Sequence, residues 1–148
     1  MSENFTDREK AVELLNRFGI TIDRRDWNSY TRLFANSVEF DYSAIGNASG
    51  TFSPKEITQN ARGFFSSLDA TQHAITNHQV DVKGKDCYFQ VYVRAMHLLE
   101  KADGEPWFEI GGYYDGKLIR QDAEWKISQW KFSVYWSRGN EKLFEFAE

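Results

Sequence analysis

The three histidines of the chain, His73, His78 and His97, all lie within residues 69–97. Because imidazole gains and loses a proton near neutral pH, such a cluster is typical of an acid–base site. The stretch is predicted to form two strands joined by a turn at residues 83–85. Side chains two residues apart on a strand share a face, so His97 belongs to an apolar row that should face the interior. The other members of that row are Cys87, Phe89, Val91, Val93 and Ala95.

The first of these strands carries His73 on the same side as Ile75 and Asn77. We therefore predict that His73 and His97 contribute to one interior site, with Asn77 as a candidate substrate-binding residue beside them. If the strand is regular, His78 faces the opposite way. For His78 we favour a surface or structural role.

A carboxylate that could pair with one of these histidines lies at the end of the first predicted helix. That helix begins after Thr6, and its apolar residues follow the spacing of one buried stripe. Asp23 lies at its C-terminal end, where the helix dipole disfavours negative charge. A carboxylate that binds one imidazole nitrogen leaves the other nitrogen free as a base. Taken singly, Asp23 could instead bind backbone and His97 could be a satisfied core histidine, so the hypothesis depends on their combination with His73.

The remaining pattern predicts helices first and a long antiparallel meander afterwards, which indicates an α+β fold in a single domain, residues 1–148. A short helix should follow its cap Asp26, and a third helix should begin at Ser53. A sheet curled around these helices would enclose a pocket. The predicted elements are helices at 27–34 and 53–65 and strands at 38–42, 70–82, 85–100, 106–120 and 124–137.

Composition narrows the classes of partner. The chain has 148 residues, of which 16% are aromatic, and this content favours a wide sheet or a ligand cavity lined in part by Tyr114 and Trp130. The net charge of −4 without a basic cluster argues against nucleic acid or an anionic membrane as partner. The single cysteine, Cys87, leaves no intramolecular disulfide and is expected to be a buried small hydrophobe. We see no leader segment or membrane-spanning run, so a cytoplasmic location is expected.

Three stretches in this order of elements resemble the SnoaL-like branch of the nuclear transport factor two-like superfamily, over roughly residues 6–145. They are residues 22–43, residues 71–78 (TQHAITNH) and residues 111–127. The resemblance implies a cone-shaped α+β barrel, in which the N-terminal helices pack into a strongly curved, mostly antiparallel sheet. It also implies a small hydrophobic substrate or ligand.

Within that superfamily the motifs are most similar to those of the scytalone dehydratases. The catalytic aspartate of that family falls on Asp23, its Thr-Gln-His motif ends on His73, and its second histidine falls on His97. The resemblance implies that His73 is the general base and Asp23 its partner, as in a related dehydrochlorinase. His97 would be a second acid/base or would position the substrate.

The same resemblance places an Asp-Tyr pair on Asp41 and Tyr42, so Tyr42 would donate a hydrogen bond to a substrate oxygen. An active-site asparagine of the family lies near Asp115, which becomes a candidate substrate-binding residue. Ile22 stands where the family has a tyrosine.

These residues predict a lyase of the dehydratase type, or an isomerase, that acts on a small apolar carbonyl compound, such as an aromatic or polycyclic one. No cofactor or metal is expected, because an Asp–His pair in an apolar cavity needs no ion and the local spacing of an iron triad is missing. The alternative is a non-catalytic module of the same fold that binds a hydrophobic ligand.

An oligomer is also expected. The side chains that alternate with the apolar row of the strand ending at His97 face outward and are of types enriched at interfaces. Related proteins pack such faces together, so we predict a homodimer or homotrimer through the sheet. The outward residues are Tyr88, Gln90, Tyr92 and Arg94.

Overall fold

Three helices occupy the first part of the chain in the computed structural model, which describes residues 5–147. They are α1 (Asp7–Asp23), α2 (Trp27–Thr31) and α3 (Pro54–Phe65), with two further 3₁₀ turns at Ser43–Ile45 and Leu143–Phe146. Each predicted helix start is confirmed. The Thr6 hydroxyl accepts from the Glu9 N–H at 3.1 Å, and the Asp26 carboxylate accepts from the Ser29 N–H at 3.2 Å. Ser53 caps α3 through a capping box.

Six strands form one sheet in the order β2-β1-β6-β5-β4-β3. β1 runs parallel to β6, and all other neighbours are antiparallel. The helices pack against this mixed sheet, so the predicted cone-shaped α+β fold is confirmed. The strands are β1 (Phe34–Asp41), β2 (Ser49–Phe52), β3 (Ala70–Lys83), β4 (Asp86–Leu98), β5 (Trp107–Gln121) and β6 (Glu124–Gly139).

The structure differs from the prediction at the end of the second helix and in one additional strand, and the bounds of the long strands and of the third helix shift by one or two residues. The second helix ends at Thr31 rather than at Phe34, because Phe34 already pairs with Ile127 at the start of β1. The short strand β2 lies between the strand predicted at 38–42 and the third helix, where no helix or strand was predicted. It lacks apolar alternation and is held by backbone pairing with β1, so its side chains carry no strand signal.

A β-bulge interrupts β3. Thr76 pairs with Tyr92 and Gln79 with Gln90, so two residues of β3 oppose one residue of β4. Asn77 has φ of +54°, a left-handed conformation that asparagine tolerates better than most residues. The bulge reverses the alternation. The inward residues are 71, 73 and 75 before it and 78, 80 and 82 after it.

The core lies between α1 and the concave face of the sheet. At its centre Phe18 of α1 stacks on Trp130 of β6 with ring centroids 3.9 Å apart. A second cluster of Leu68, Leu99 and Leu143 fixes the C-terminal 3₁₀ turn against the end of the sheet. Within residues 5–147, none of the helices is long and apolar enough to cross a membrane.

Candidate active site

Asp23 and His73 form a hydrogen-bonded pair at the junction of α1 and β3. Asp23 is the last residue of α1, and its Oδ1 lies 2.7 Å from His73 Nδ1. The Oδ2 atom accepts a hydrogen bond of 2.7 Å from the backbone N–H of His73. Since β3 is an edge strand, Asp23 pairs with an amide on the open side of the sheet. The carboxylate that is poorly placed for the helix dipole is thus held by the strand.

The hydrogen bonds of Asp23 determine the tautomer of His73. Thr71 donates its hydroxyl proton to Asp23 Oδ1 at 2.9 Å, so the carboxylate accepts from Thr71 and from the His73 amide. An ionised carboxylate has no proton to give, and His73 Nδ1 must therefore be the donor in the third bond. In the neutral imidazole, Nε2 is then the nitrogen without a proton. The His73 side chain is only 3% exposed to solvent.

A glycine allows the helix to lie close to this strand. A Cβ atom added at Gly19 would lie 2.9 Å from His73 Cβ, closer than real side chains approach. Gly19 is one turn before Asp23, so the same close approach brings the Asp23 carboxylate within reach of His73. The sequence pattern contains this glycine within the apolar stripe but does not reveal its contact.

His97 lies in β4 beside His73, with ring centroids 6.2 Å apart. The Phe108 carbonyl lies 3.0 Å from His97 Nδ1, so Nδ1 carries the proton and Nε2 is an acceptor. Burial, and to a lesser extent the neighbouring His73, lowers the pKa of His97 to about 4. Phe65 stacks on the ring and Phe144 contacts it edge-on. At neutral pH His97 is therefore an uncharged acceptor in an aromatic surrounding.

Both histidines line a cavity of about 480 Å³ inside the cone, a size that suits a small organic ligand. Aromatic and aliphatic side chains form most of its wall. The aromatic ones are Phe18, Tyr30, Phe40, Tyr42, Phe64, Phe65, Phe108, Tyr114, Phe132 and Phe144, and the aliphatic ones are Ile22, Ala44, Ile45, Ile57, Ala61, Ala95, Ile110 and Val134.

Tyr42 and Tyr114 bring hydroxyl groups to this wall. Burial raises the pKa of both phenols, so each keeps its proton and can donate a hydrogen bond. Trp130 is not part of the wall, although it contacts two residues that are, Phe18 and Tyr114. Its buried Nε1 has no hydrogen-bond partner among the described residues.

The structure places two further predicted substrate-binding residues away from the cavity. Asn77 is exposed at the bulge, where the alternation that aligned it with His73 is broken. Asp115 neighbours the inward Tyr114 and so points to the outer face, where it pairs with Gln90 of β4. His78 also differs from the expectation for a regular strand, because the bulge turns it toward α1. Its Nε2 lies 2.8 Å from Asn16 Oδ1.

Four polar residues of the cavity were not predicted from the sequence: Asn47, Asn60, Ser137 and Glu141. Asn60 could have been found, because it follows Ile57 by three residues on the inner stripe of α3. Glu141 lies beyond the last strand and carries no such signal. Within the part of the chain that the structure describes, no lysine or arginine lines the cavity. Residues 5–147 also contain no cluster of three metal-ligating side chains.

Comparisons with known proteins agree with this fold. A family model described as SnoaL-like domain matches residues 3–131. No curated protein matches the sequence significantly. Among solved structures, the Kfla4162 protein from Kribbella flavida has a TM-score of 0.87 and 25% identity, with 94% of this chain and 97% of that chain covered.

Two further solved structures carry the names of enzymes. A candidate scytalone dehydratase from Novosphingobium aromaticivorans has a TM-score of 0.77 and 17% identity, covering 88% of this chain and 85% of that one. A hexachlorocyclohexane dehydrochlorinase, LinA type 2, has a TM-score of 0.76 and 18% identity, covering 90% of this chain and 88% of that one. At these identities the likeness concerns the fold.

Proposed function

Because the chain belongs to the SnoaL-like domain family, we propose that it is a cofactor-independent lyase or isomerase that acts on a small neutral carbonyl compound. The observation that carries this proposal is the Asp23–His73 pair. Asp23 fixes the proton on Nδ1 of His73, and the bare Nε2 belongs to a side chain of the cavity wall. This arrangement suits a general base that removes a proton from carbon.

The reaction follows from the groups around the cavity. His73 Nε2 takes a proton from the carbon next to the substrate carbonyl, and the bonding pair moves toward the carbonyl. Tyr42 keeps its proton because burial raises its pKa, so it can stabilise the oxygen on which negative charge develops. The electron pair then expels a hydroxide from the neighbouring carbon, and the proton on His73 joins it as water. Return of the proton to another carbon would give isomerisation instead.

His97 has a positioning role in this proposal. Its pKa of about 4 leaves it neutral at pH 7, so it has no imidazolium proton to give to a leaving group. Its Nε2 can accept a hydrogen bond from a substrate hydroxyl. The sequence leaves two roles open for His97, acid/base catalysis and substrate positioning. The lowered pKa and the free Nε2 acceptor support substrate positioning.

The charge of the cavity supports a neutral substrate. Among the described lining residues Glu141 is the only carboxylate, and none is a lysine or arginine. A carboxylate or phosphate on the ligand would enter an apolar cavity without a cationic partner, at a cost of several kcal/mol, roughly, for an unpaired buried charge. The apolar wall favours an uncharged ring compound.

A panel of neutral, ring-bearing hydroxy-ketones tests the proposed function. We expect at least one compound to raise the melting temperature and to lose water, whereas its carboxylate-bearing analogue does neither. His73→Ala should retain the thermal shift and lose turnover. Stabilisation of the wild-type protein by the panel without any turnover would instead support the non-catalytic binding module. Equal stabilisation by the anionic analogues would contradict the substrate class.

We also propose that the protein forms a homodimer or homotrimer through the outer face of the sheet. Tyr92, Tyr135 and Trp136 are exposed there, and Tyr135 is 59% accessible. Arg94 lies over the Trp136 ring and binds the buried Glu109. Aromatic residues and arginine are the types most enriched at interface hot spots.

Light scattering at micromolar concentration should give a mass of two or three chains, and Tyr135→Glu should reduce it to that of one chain because it places a charge within the interface. Glu105→Gln, a change in an exposed turn, is the matched control and should leave the mass unchanged. A monomeric wild-type protein would refute the proposal.

A further inference from the structure

Arg25 has an unusual backbone conformation two residues after the end of α1. Its φ of +58° lies in the left-handed region, which costs a residue with a Cβ roughly 1 kcal/mol or more. In this conformation its backbone N–H donates to the Ile22 carbonyl at 3.0 Å, and its guanidinium Nη1 donates to the same carbonyl at 2.8 Å. Strain of this kind often marks a functional constraint. Here it directs the side chain back toward β3.

The guanidinium of Arg25 reaches Thr71. Nη1 donates to the Thr71 hydroxyl oxygen at 2.9 Å, and Thr71 in turn lies 2.9 Å from Asp23 Oδ1. A guanidinium has no acceptor, so Thr71 must accept from Arg25 and give its single proton to Asp23. In the hydrogen bonds that link these residues, Arg25 therefore donates to Thr71, Thr71 donates to Asp23, and Asp23 also accepts from His73.

We propose that Arg25 and Thr71 are positioning residues that hold the Asp23 carboxylate in the orientation needed to accept from His73 Nδ1. This inference rests on the proposed role of His73 as the base. Thr71 and the His73 amide together bind both carboxylate oxygens, so Asp23 cannot rotate without breaking a bond. Arg25 in turn prevents Thr71 from using its proton elsewhere.

The surroundings show why such a constraint is needed. Asp23 lies at the end of a helix and its side chain is 20% exposed, so water can compete for it. Arg25 bonds the same hydroxyl that donates to Asp23, so its positive charge also lies near the carboxylate. Engaging Arg25 with Thr71 and the Ile22 carbonyl keeps the cation near the carboxylate without occupying the oxygen that His73 uses.

The test compares Thr71→Val, which replaces the hydroxyl by a methyl group, with Thr71→Ser, which keeps it. We expect the valine variant to lose about tenfold in kcat with little change in KM, because a displaced base loses part of its alignment. The serine variant should stay close to wild type. If both variants lost the same activity, the hydroxyl would have no role.

A substrate-independent measurement separates this inference from the proposed function. In protein labelled with ¹⁵N-histidine, wild-type His73 should be protonated on Nδ1 and bare on Nε2 at pH 8. Thr71→Val should give a mixture of tautomers, and Thr71→Ser should not. An unchanged tautomer in the valine variant would overturn the positioning role. A changed tautomer in a protein that turns over no substrate would leave the positioning role standing and refute the enzyme.

Arg25→Met provides a second variant in case the valine substitution unfolds the protein. It should alter the tautomer of His73 in the same direction. If Arg25 acts through Thr71, the double variant Arg25→Met/Thr71→Val should lose no more kcat than Thr71→Val alone. Two residues that act through the same series of hydrogen bonds do not have additive effects. Additive losses in the double variant would show that Arg25 acts independently and would contradict the inference.

Discussion

Asp23→Asn is expected to lower kcat by about 10²–10⁴-fold, the range associated with loss of a general base. The reason is the tautomer of His73. The backbone N–H of His73 can bond only to an oxygen, so the amide oxygen of asparagine should take the place of Asp23 Oδ2. The amide NH₂ then faces His73 Nδ1 and donates to it. The imidazole proton must move to Nε2, where a free base is required.

Turnover of the purified Asp23→Asn variant measures the loss of kcat, and its ¹⁵N-imidazole spectrum measures the tautomer of His73. Asp26→Asn is the matched control, because Asp26 is also an aspartate at a helix boundary and asparagine caps helices equally well. It should leave kcat and the His73 tautomer unchanged. Activity in Asp23→Asn within a factor of a few of wild type would refute the role of His73 as base.

His97 is expected to make the protein less stable as the pH falls from 6.5 to 4. The folded-state pKa of His97 is about 4, whereas an unfolded histidine titrates near 6.5. Above pH 6.5 His97 is neutral in both the folded and the unfolded protein, so it does not change the free energy of unfolding there. Between these values the unfolded chain binds a proton that the folded protein does not, so stability is lost as the pH falls. The loss amounts to about 3 kcal/mol below pH 4.

Urea denaturation at a series of pH values measures this loss in the wild type and in His97→Phe. Phenylalanine suits the aromatic surrounding of Phe65, Phe108 and Phe144, and it cannot titrate. The two curves should diverge by about 3 kcal/mol between pH 6.5 and 4. Parallel curves would show that His97 is protonated as easily in the folded protein as in the unfolded chain.

Much of the fold could be predicted from local patterns. Thr6, Asp26 and Ser53 are capping residues whose signal lies within three positions of the helix start, and each begins a helix. The long strands alternate clearly, as in the row that ends at His97. The boundary at Phe34 could not be predicted, because whether that residue continues a helix or begins a strand depends on its partner Ile127, far away in the sequence.

The residues of the candidate site also fall into those that the sequence predicts and those that depend on distant contacts. Asp23, His73 and His97 were recognisable because an out-of-place carboxylate and two histidines carry chemical signals of their own. The position of Asn77 was mistaken because one extra residue in a strand reverses its alternation, and the sequence does not mark a bulge. Thr71 and Arg25 were visible in the motifs, yet their role depends on hydrogen bonds across 46 residues of chain.

The bulge at Asn77 also bears on the behaviour of the protein in concentrated solution. β3 has 14 residues and lies at the edge of the sheet, and a long regular edge invites strand addition from a second molecule. The extra residue bends and twists this edge, so that an incoming strand would lose register halfway along it. On the near side of the bulge, Asp23 already occupies the outward amide of His73. The carboxylate that accepts from His73 Nδ1 thus also blocks a point at which aggregation through this edge would start.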